Sequence, residues 1–167
     1  KIIRRKGLRI AVMGIVDPYA IKFYPDEIKS RIRLSDPVKA VKNEMKKLQN
    51  KADIFVLLTH QGYDLDVEFA KKIDGLDLIV GSHSQTAIEK PKEINKTLIV
   101  QSGKAGYYVG LVKIKMKRGK VVEKSGKLDT MKFELPDDPR IIEMIEEYEK
   151  KSGRMNHRKK KLLGHDH

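Results

Sequence analysis

His60 and His83 are the side chains whose type and placement point to chemistry. Each lies in a short polar loop after an apolar run, Ile54-Phe55-Val56-Leu57-Leu58 before His60 and Leu76-Asp77-Leu78-Ile79-Val80 before His83. Gln85 follows His83 by two residues and adds a carboxamide oxygen. Imidazole nitrogens suit Zn²⁺ and similar ions, and an amide oxygen suits harder cations such as Mg²⁺ or Mn²⁺. A ligating side chain needs a lone pair, a fixed direction and a partner for its spare ring nitrogen. Gly62 near His60, and Gly81 and Ser84 around His83, let the backbone approach an ion closely. A single histidine at a strand end reads as a hydrogen-bonded loop residue. Two on one sheet edge, with a third donor beside them, read as a metal site.

That reading needs elements to put the loops together. Val67, Phe69, Ala70 and Ile73 lie at helical spacing between the two apolar runs. A strand-helix-strand unit of this length implies parallel strands joined by a right-handed crossover. Both histidines then fall at the carboxyl ends of the strands, the edge where open α/β sheets bind ligands. Upstream, Ile2-Ile3-Arg4-Arg5-Lys6 and Leu8-Arg9-Ile10-Ala11-Val12-Met13-Gly14-Ile15 form a hairpin turning at Gly7. The second of these strands is apolar enough to predict burial on both faces. Residues 17–34, with Pro18, Pro25, Tyr19, Phe23 and Tyr24, read as irregular. Asp36-Pro37 predicts a helix start, with Val38, Val41, Met45 and Leu48 carrying it to about Asn50.

Downstream, Thr97-Leu98-Ile99-Val100-Gln101 predicts a strand and Ser102-Gly103-Lys104-Ala105-Gly106 a glycine-rich turn. Residues 107–116 and 120–131 alternate around Arg118-Gly119, as a hairpin with one wet face does. Pro139 opens a last helix, with Ile141, Ile142, Met144, Ile145 and Tyr148 on its apolar side and an end near Ser152-Gly153.

Composition sets the bounds. A chain of 167 residues holds one domain with a real core, and 40% hydrophobic with 35% charged residues is a globular balance. The absence of cysteine leaves only nitrogen and oxygen donors for a metal. No apolar run approaches the roughly 20 residues of a membrane-spanning helix. The formal charge of +13 comes from scattered lysines, which reads as a solvated surface of the kind thermophiles favour. Nucleic-acid binding is disfavoured, because no basic stripe is interleaved with aromatics. Residues 154–167, with His157, His165 and His167, are basic and unpatterned and are expected to be a disordered tail, although the His165-Asp166-His167 ending could clip a metal adventitiously.

The stretch Leu58-Thr59-His60-Gln61-Gly62, then Asp66, Ala70 and Asp74 through Val80-Gly81-Ser82-His83-Ser84-Gln85-Thr86, resembles the 5′-nucleotidase / UDP-sugar hydrolase branch of the calcineurin-like metallophosphoesterases. The likeness continues through Thr97 to Gly103 and Gly106-Tyr107-Tyr108-Val109-Gly110. It implies an α/β fold that is half of an α/β/β/α sandwich, with a mixed sheet, crossover helices and a C-terminal β-hairpin. Residues 1–135 would be the C-terminal half of the catalytic domain, 136–153 a linker-like helix and 154–167 the tail. His60 and His83 would ligate one metal, and Gln85 stands where many relatives carry a second histidine. The family's site holds two divalent ions (Zn, Mn, Mg or Ca), whose bridging hydroxide attacks a phosphate ester in line.

The family's first-half motifs, D-x-H, G-D-x-x-D and G-N-H-(E/D), do not occur in this sequence. The resemblance therefore implies an enzyme acting on a nucleotide or related phosphate ester only when joined to an N-terminal half. That half would be a second chain, another segment or a homodimer mate, and the chain alone would be inactive. The alternative is a non-catalytic half-domain whose open sheet pairs with a partner as an interaction module. No membrane partner is expected. Relatives are commonly exported, which suggests a periplasmic or extracellular setting.

Overall fold

The computed structural model describes residues 1–132 and 134–153. They fall into two units, residues 1–131 and the residues from 132 onward. The tail expectation, with His157, His165 and His167, lies outside the described residues.

The first unit runs β1 (Ile2–Arg5), β2 (Leu8–Val16), a 3-10 turn (Pro18–Phe23), α1 (Asp26–Lys29), α2 (Pro37–Leu48), β3 (Ile54–His60), α3 (Tyr63–Lys72), β4 (Leu78–Val80), β5 (Lys92–Ile94), β6 (Thr97–Val100), β7 (Tyr108–Lys117) and β8 (Lys120–Thr130). Six strands form one sheet in the order β1-β2-β3-β4-β6-β5, and β7 and β8 form a separate hairpin. β2, β3, β4 and β6 are mutually parallel, while β1 and β5 run antiparallel at the two edges. The chain is thus α/β with a mixed, mostly parallel sheet and a C-terminal antiparallel hairpin, as the sequence predicts.

Local chemistry sets the helix limits. Asp36 caps α2 by accepting from the Lys39 N–H at 2.8 Å, and Pro37 occupies the first helical position. α3 begins directly after Gly62, whose φ of 93° allows the sharp exit from β3. Asp64 and Asp66 in its first turn sit at the positive end of the helix dipole.

The register separates the two faces of the sheet. Met13, Leu57, Ile79 and Ile99 are level neighbours on the side covered by α2 and α3. There Leu57, Ile79 and Ile99 are buried with Val41, Phe69, Ala70, Ile73 and Leu76, and this is the core. On the other face Val16 is 47% exposed and Leu58 46%. The expectation that β2 is buried on both faces is therefore corrected: its apolar residues face a core on one side and solvent, in part, on the other. The β7–β8 hairpin reaches the β6 end of this open face, where Gly126 backs onto Val100 and Pro91.

Two further differences are local. Residues 17–34 are not wholly irregular, since Asp17 accepts from the Tyr19 N–H at 2.9 Å and starts the 3-10 turn. β4 is shorter than its apolar run and begins after Asp77, whose N–H donates to the Phe55 carbonyl at 3.0 Å and whose carboxylate accepts from the Phe55 N–H at 2.8 Å. Burial pushes that carboxyl above its ordinary range.

Arg9 and Asp53 join β2 to the start of β3. Asp53 accepts from the Arg9 backbone N–H and from two guanidinium nitrogens, at 2.7, 3.2 and 2.7 Å. The hydrogen bonds from Arg9 hold the Asp53 carboxyl at about 2, below the roughly 3.9 of an unfolded aspartate. A depressed folded pKa gives stability that is present above the unfolded value and lost as pH falls through the folded one. Asp53→Asn is accordingly expected to melt below the parent at pH 7. The gap should hold to about pH 5 and close as the pH approaches 2. Melting curves across that range check this, and a gap independent of pH contradicts it.

The second unit holds α4 (Pro139–Ser152), capped by Asp138 and closed by Gly153 at φ 66°. Ile141, Ile142, Met144, Ile145 and Tyr148 are all exposed on it. Among the described residues no helix is long and apolar enough to cross a membrane.

Candidate metal centre

The parallel pairing of Leu58 with Val80 brings the carboxyl ends of β3 and β4 level, so the loops that follow meet at one edge. Several hydrogen bonds hold them together. The Gly62 N–H donates to the Ser82 carbonyl at 3.0 Å, and the Tyr63 N–H to Ser84 Oγ at 3.1 Å. Ser84 Oγ also donates to Gln101 Oε1 at 3.0 Å and pairs with Thr86 Oγ1 at 3.0 Å. The Gly81 N–H donates to the Val100 carbonyl at 2.8 Å, and the Asp17 N–H to the His60 carbonyl at 3.2 Å.

Within this frame His60 Nε2 and His83 Nδ1 lie 3.3 Å apart, with ring centroids 5.0 Å apart at an interplanar angle of 71°. Both imidazoles are exposed. Gln85 is exposed on the same loop and makes no hydrogen bond to either ring. His83 and Gln85 have φ of 80° and 56°, a left-handed conformation that costs non-glycine residues about 1–3 kcal/mol each. Two such residues within three positions mark a loop held by its surroundings, a condition that clusters at functional sites.

The donor set fits a metal ion. Two bonds of about 2.0–2.1 Å at a tetrahedral angle put their nitrogens about 3.3 Å apart, and the imidazole pair has that separation. The exposed position leaves room for further ligands. Among the described residues no three His, Cys, Asp or Glu side chains gather around one point, so the pair and the Gln85 amide are the donors the described residues place at this edge.

Beneath the loops lies a buried polar group that sequence reading assigned no role. Asp66, on α3, is fully buried, and its Oδ1 accepts from Gln61 Nε2 at 2.9 Å. Burial pushes its carboxyl up, against the opposing effect of the Thr59 hydroxyl and the Gln61 amide. Thr59 Oγ1 nonetheless reaches no good hydrogen-bond geometry, nor do Asp66 Oδ2 and Gln101 Nε2. The signal available in the sequence was position: Asp66 precedes Phe69, Ala70 and Ile73 by 3, 4 and 7 residues and so stands on the helix's apolar stripe.

No protein-family model matches the chain. The metallophosphoesterase YunD of Bacillus subtilis is 32% identical over 110 residues, which cover 66% of this chain and 23% of that protein. The 5′-nucleotidase of Bos taurus is 27% identical over 177 residues, covering 83% of this chain and 31% of its own length. Among solved structures, the 5′-nucleotidase precursor of Thermus thermophilus superposes with a TM-score of 0.75 at 21% identity, over 91% of this chain and 34% of its own. The chain thus spans about a quarter to a third of these relatives. With its mixed sheet, closing hairpin and histidine-bearing strand ends, the chain belongs to the 5′-nucleotidase type of metallophosphoesterase and matches the C-terminal half of the catalytic domain.

Proposed function

We propose that this chain supplies His60, His83 and Gln85 to a two-metal centre that hydrolyses nucleotides or related phosphate esters, the remaining ligands coming from an N-terminal half. The observation that carries the reading is the 3.3 Å separation of the two imidazole nitrogens at the carboxyl ends of β3 and β4. Divalent ions bound there would activate a water and neutralise charge on the phosphoryl oxygens. This chain's own part is to hold two imidazoles at fixed spacing. Ser84 and Gln101 anchor the second loop, and the Gly62 N–H ties it to the first. Export is part of the proposal, supported by the Thermus relative, a 5′-nucleotidase precursor.

A second reading, an interaction module without catalysis, is favoured by the exposed apolar residues Val16, Leu58 and Val80 on the open sheet face. The two readings differ in whether the histidines matter. The chain alone is expected to bind Zn²⁺ or Mn²⁺ weakly and to release no measurable phosphate from a nucleoside monophosphate. Co-expression with the N-terminal half of a relative's catalytic domain should give turnover that His60→Ala removes. Robust turnover by the chain alone, or a complex indifferent to His60→Ala, contradicts the proposal.

A further inference from the structure

We infer that Asp66 is a positioning residue: its buried carboxylate clamps the loop after β3 to the loop after β4 and so sets the spacing of His60 and His83. The inference rests on the histidine pair being a metal site, but the geometry it concerns exists without metal.

The clamp has two arms. Oδ1 accepts from Gln61 Nε2 at 2.9 Å, so one arm holds the residue that follows His60. Oδ2 lies 2.3 Å from where a Cβ on Gly81 would stand. The second loop therefore packs its backbone directly on the carboxylate, two residues before His83. The Gly62 N–H to Ser82 carbonyl bond at 3.0 Å closes the ring between the loops.

The helix dipole alone does not account for this residue, since Asp64 stands in the same first turn and is exposed. A carboxyl on the apolar stripe of a helix, with one oxygen lacking a hydrogen bond, works against folding, and an aliphatic side chain of similar size would serve the core better. It does not cap α3, since it is the fourth residue of that helix and accepts from a side chain. What it touches are the neighbours of both histidines.

The test uses the full chain carrying Asp66→Ala or Asp66→Asn, with Asp77→Asn as a control. Asp77 is another carboxyl that burial pushes upward, at the amino end of β4. Zn²⁺ affinity is measured by calorimetry, folding by melting curves, and ring spacing by through-space contacts between His60 and His83 ring protons without metal. Asp66→Ala is expected to weaken Zn²⁺ binding about 10–100-fold, as loss of an outer partner does, and to erase the ring contact. Asp66→Asn keeps an acceptor for Gln61 and should lose less. Asp77→Asn should lower the melting temperature and leave Zn²⁺ affinity within about twofold, because it touches neither loop.

Unchanged affinity and an intact ring contact in both Asp66 variants overturn the proposal. Should Asp66→Ala not fold, Asp66→Asn decides by the same two readouts. Zn²⁺ binding by the parent that is indifferent to His83→Ala would sink the metal-site reading instead. The ring contact then judges Asp66 alone: its loss supports the clamp and its survival overturns it.

Discussion

His83→Ala is expected to reduce the affinity of the chain for Zn²⁺ by more than the roughly 10–100-fold that loss of an outer partner costs, and to leave the fold in place. One of two nitrogens held 3.3 Å apart would be gone, leaving His60 as a single exposed imidazole. Stability should change little, since His83 is exposed and its removal opens no cavity. The backbone adds a refinement. With φ at 80°, His83 occupies a conformation in which alanine is no more comfortable than histidine, whereas glycine is at ease. His83→Gly is therefore expected to melt at or above the parent temperature while binding metal as poorly as His83→Ala. His60→Ala should match both in affinity, because either imidazole alone is an ordinary surface histidine. Calorimetric titration with melting curves separates the effects. Parent-like affinity in both His83 variants would remove these residues from any metal centre.

Much of this architecture was legible because its signals are local. The apolar runs before His60 and His83, and the helical spacing of Val67, Phe69, Ala70 and Ile73, predict a parallel pair with both loops on one edge. The observed pairing of Leu58 with Val80 has that arrangement. Asp36-Pro37 and Asp138-Pro139 mark helix starts because cap and first-turn chemistry involves neighbours only. What failed was non-local. An apolar run such as Ile10 to Ile15 shows that a strand is buried somewhere but not which face is covered, so the exposure of Val16 could not be read from it. β5, Lys92–Ile94, is three residues of mixed character whose pairing with β6 is decided by the sheet. Gln61, Asp66 and Gln101 acquire meaning only when the chain brings the two loops against α3.

Gly81→Ala is expected to destabilise the chain by about 1–3 kcal/mol, the usual cost of overpacking, and to disturb the histidine pair with it. A Cβ there would stand 2.3 Å from Asp66 Oδ2, far inside contact distance. The carboxylate has no free direction in which to retreat, being fully buried and held by Gln61. Gly81 does not have a positive φ, so alanine's backbone preference is not at issue and the penalty is steric. Gly14 in β2 supplies the contrast. Its added Cβ would meet only the Leu58 carbonyl, at 3.9 Å, and Gly14→Ala should change stability by no more than about 0.5 kcal/mol. If the clash is the cause, Asp66→Ala should relieve it. The double variant would then be more stable than the two single losses added together, by a coupling of about 0.5–3 kcal/mol. Strict additivity would place the cost of Gly81→Ala elsewhere, and the carboxylate would no longer explain why the chain carries glycine where β4 turns into its histidine loop.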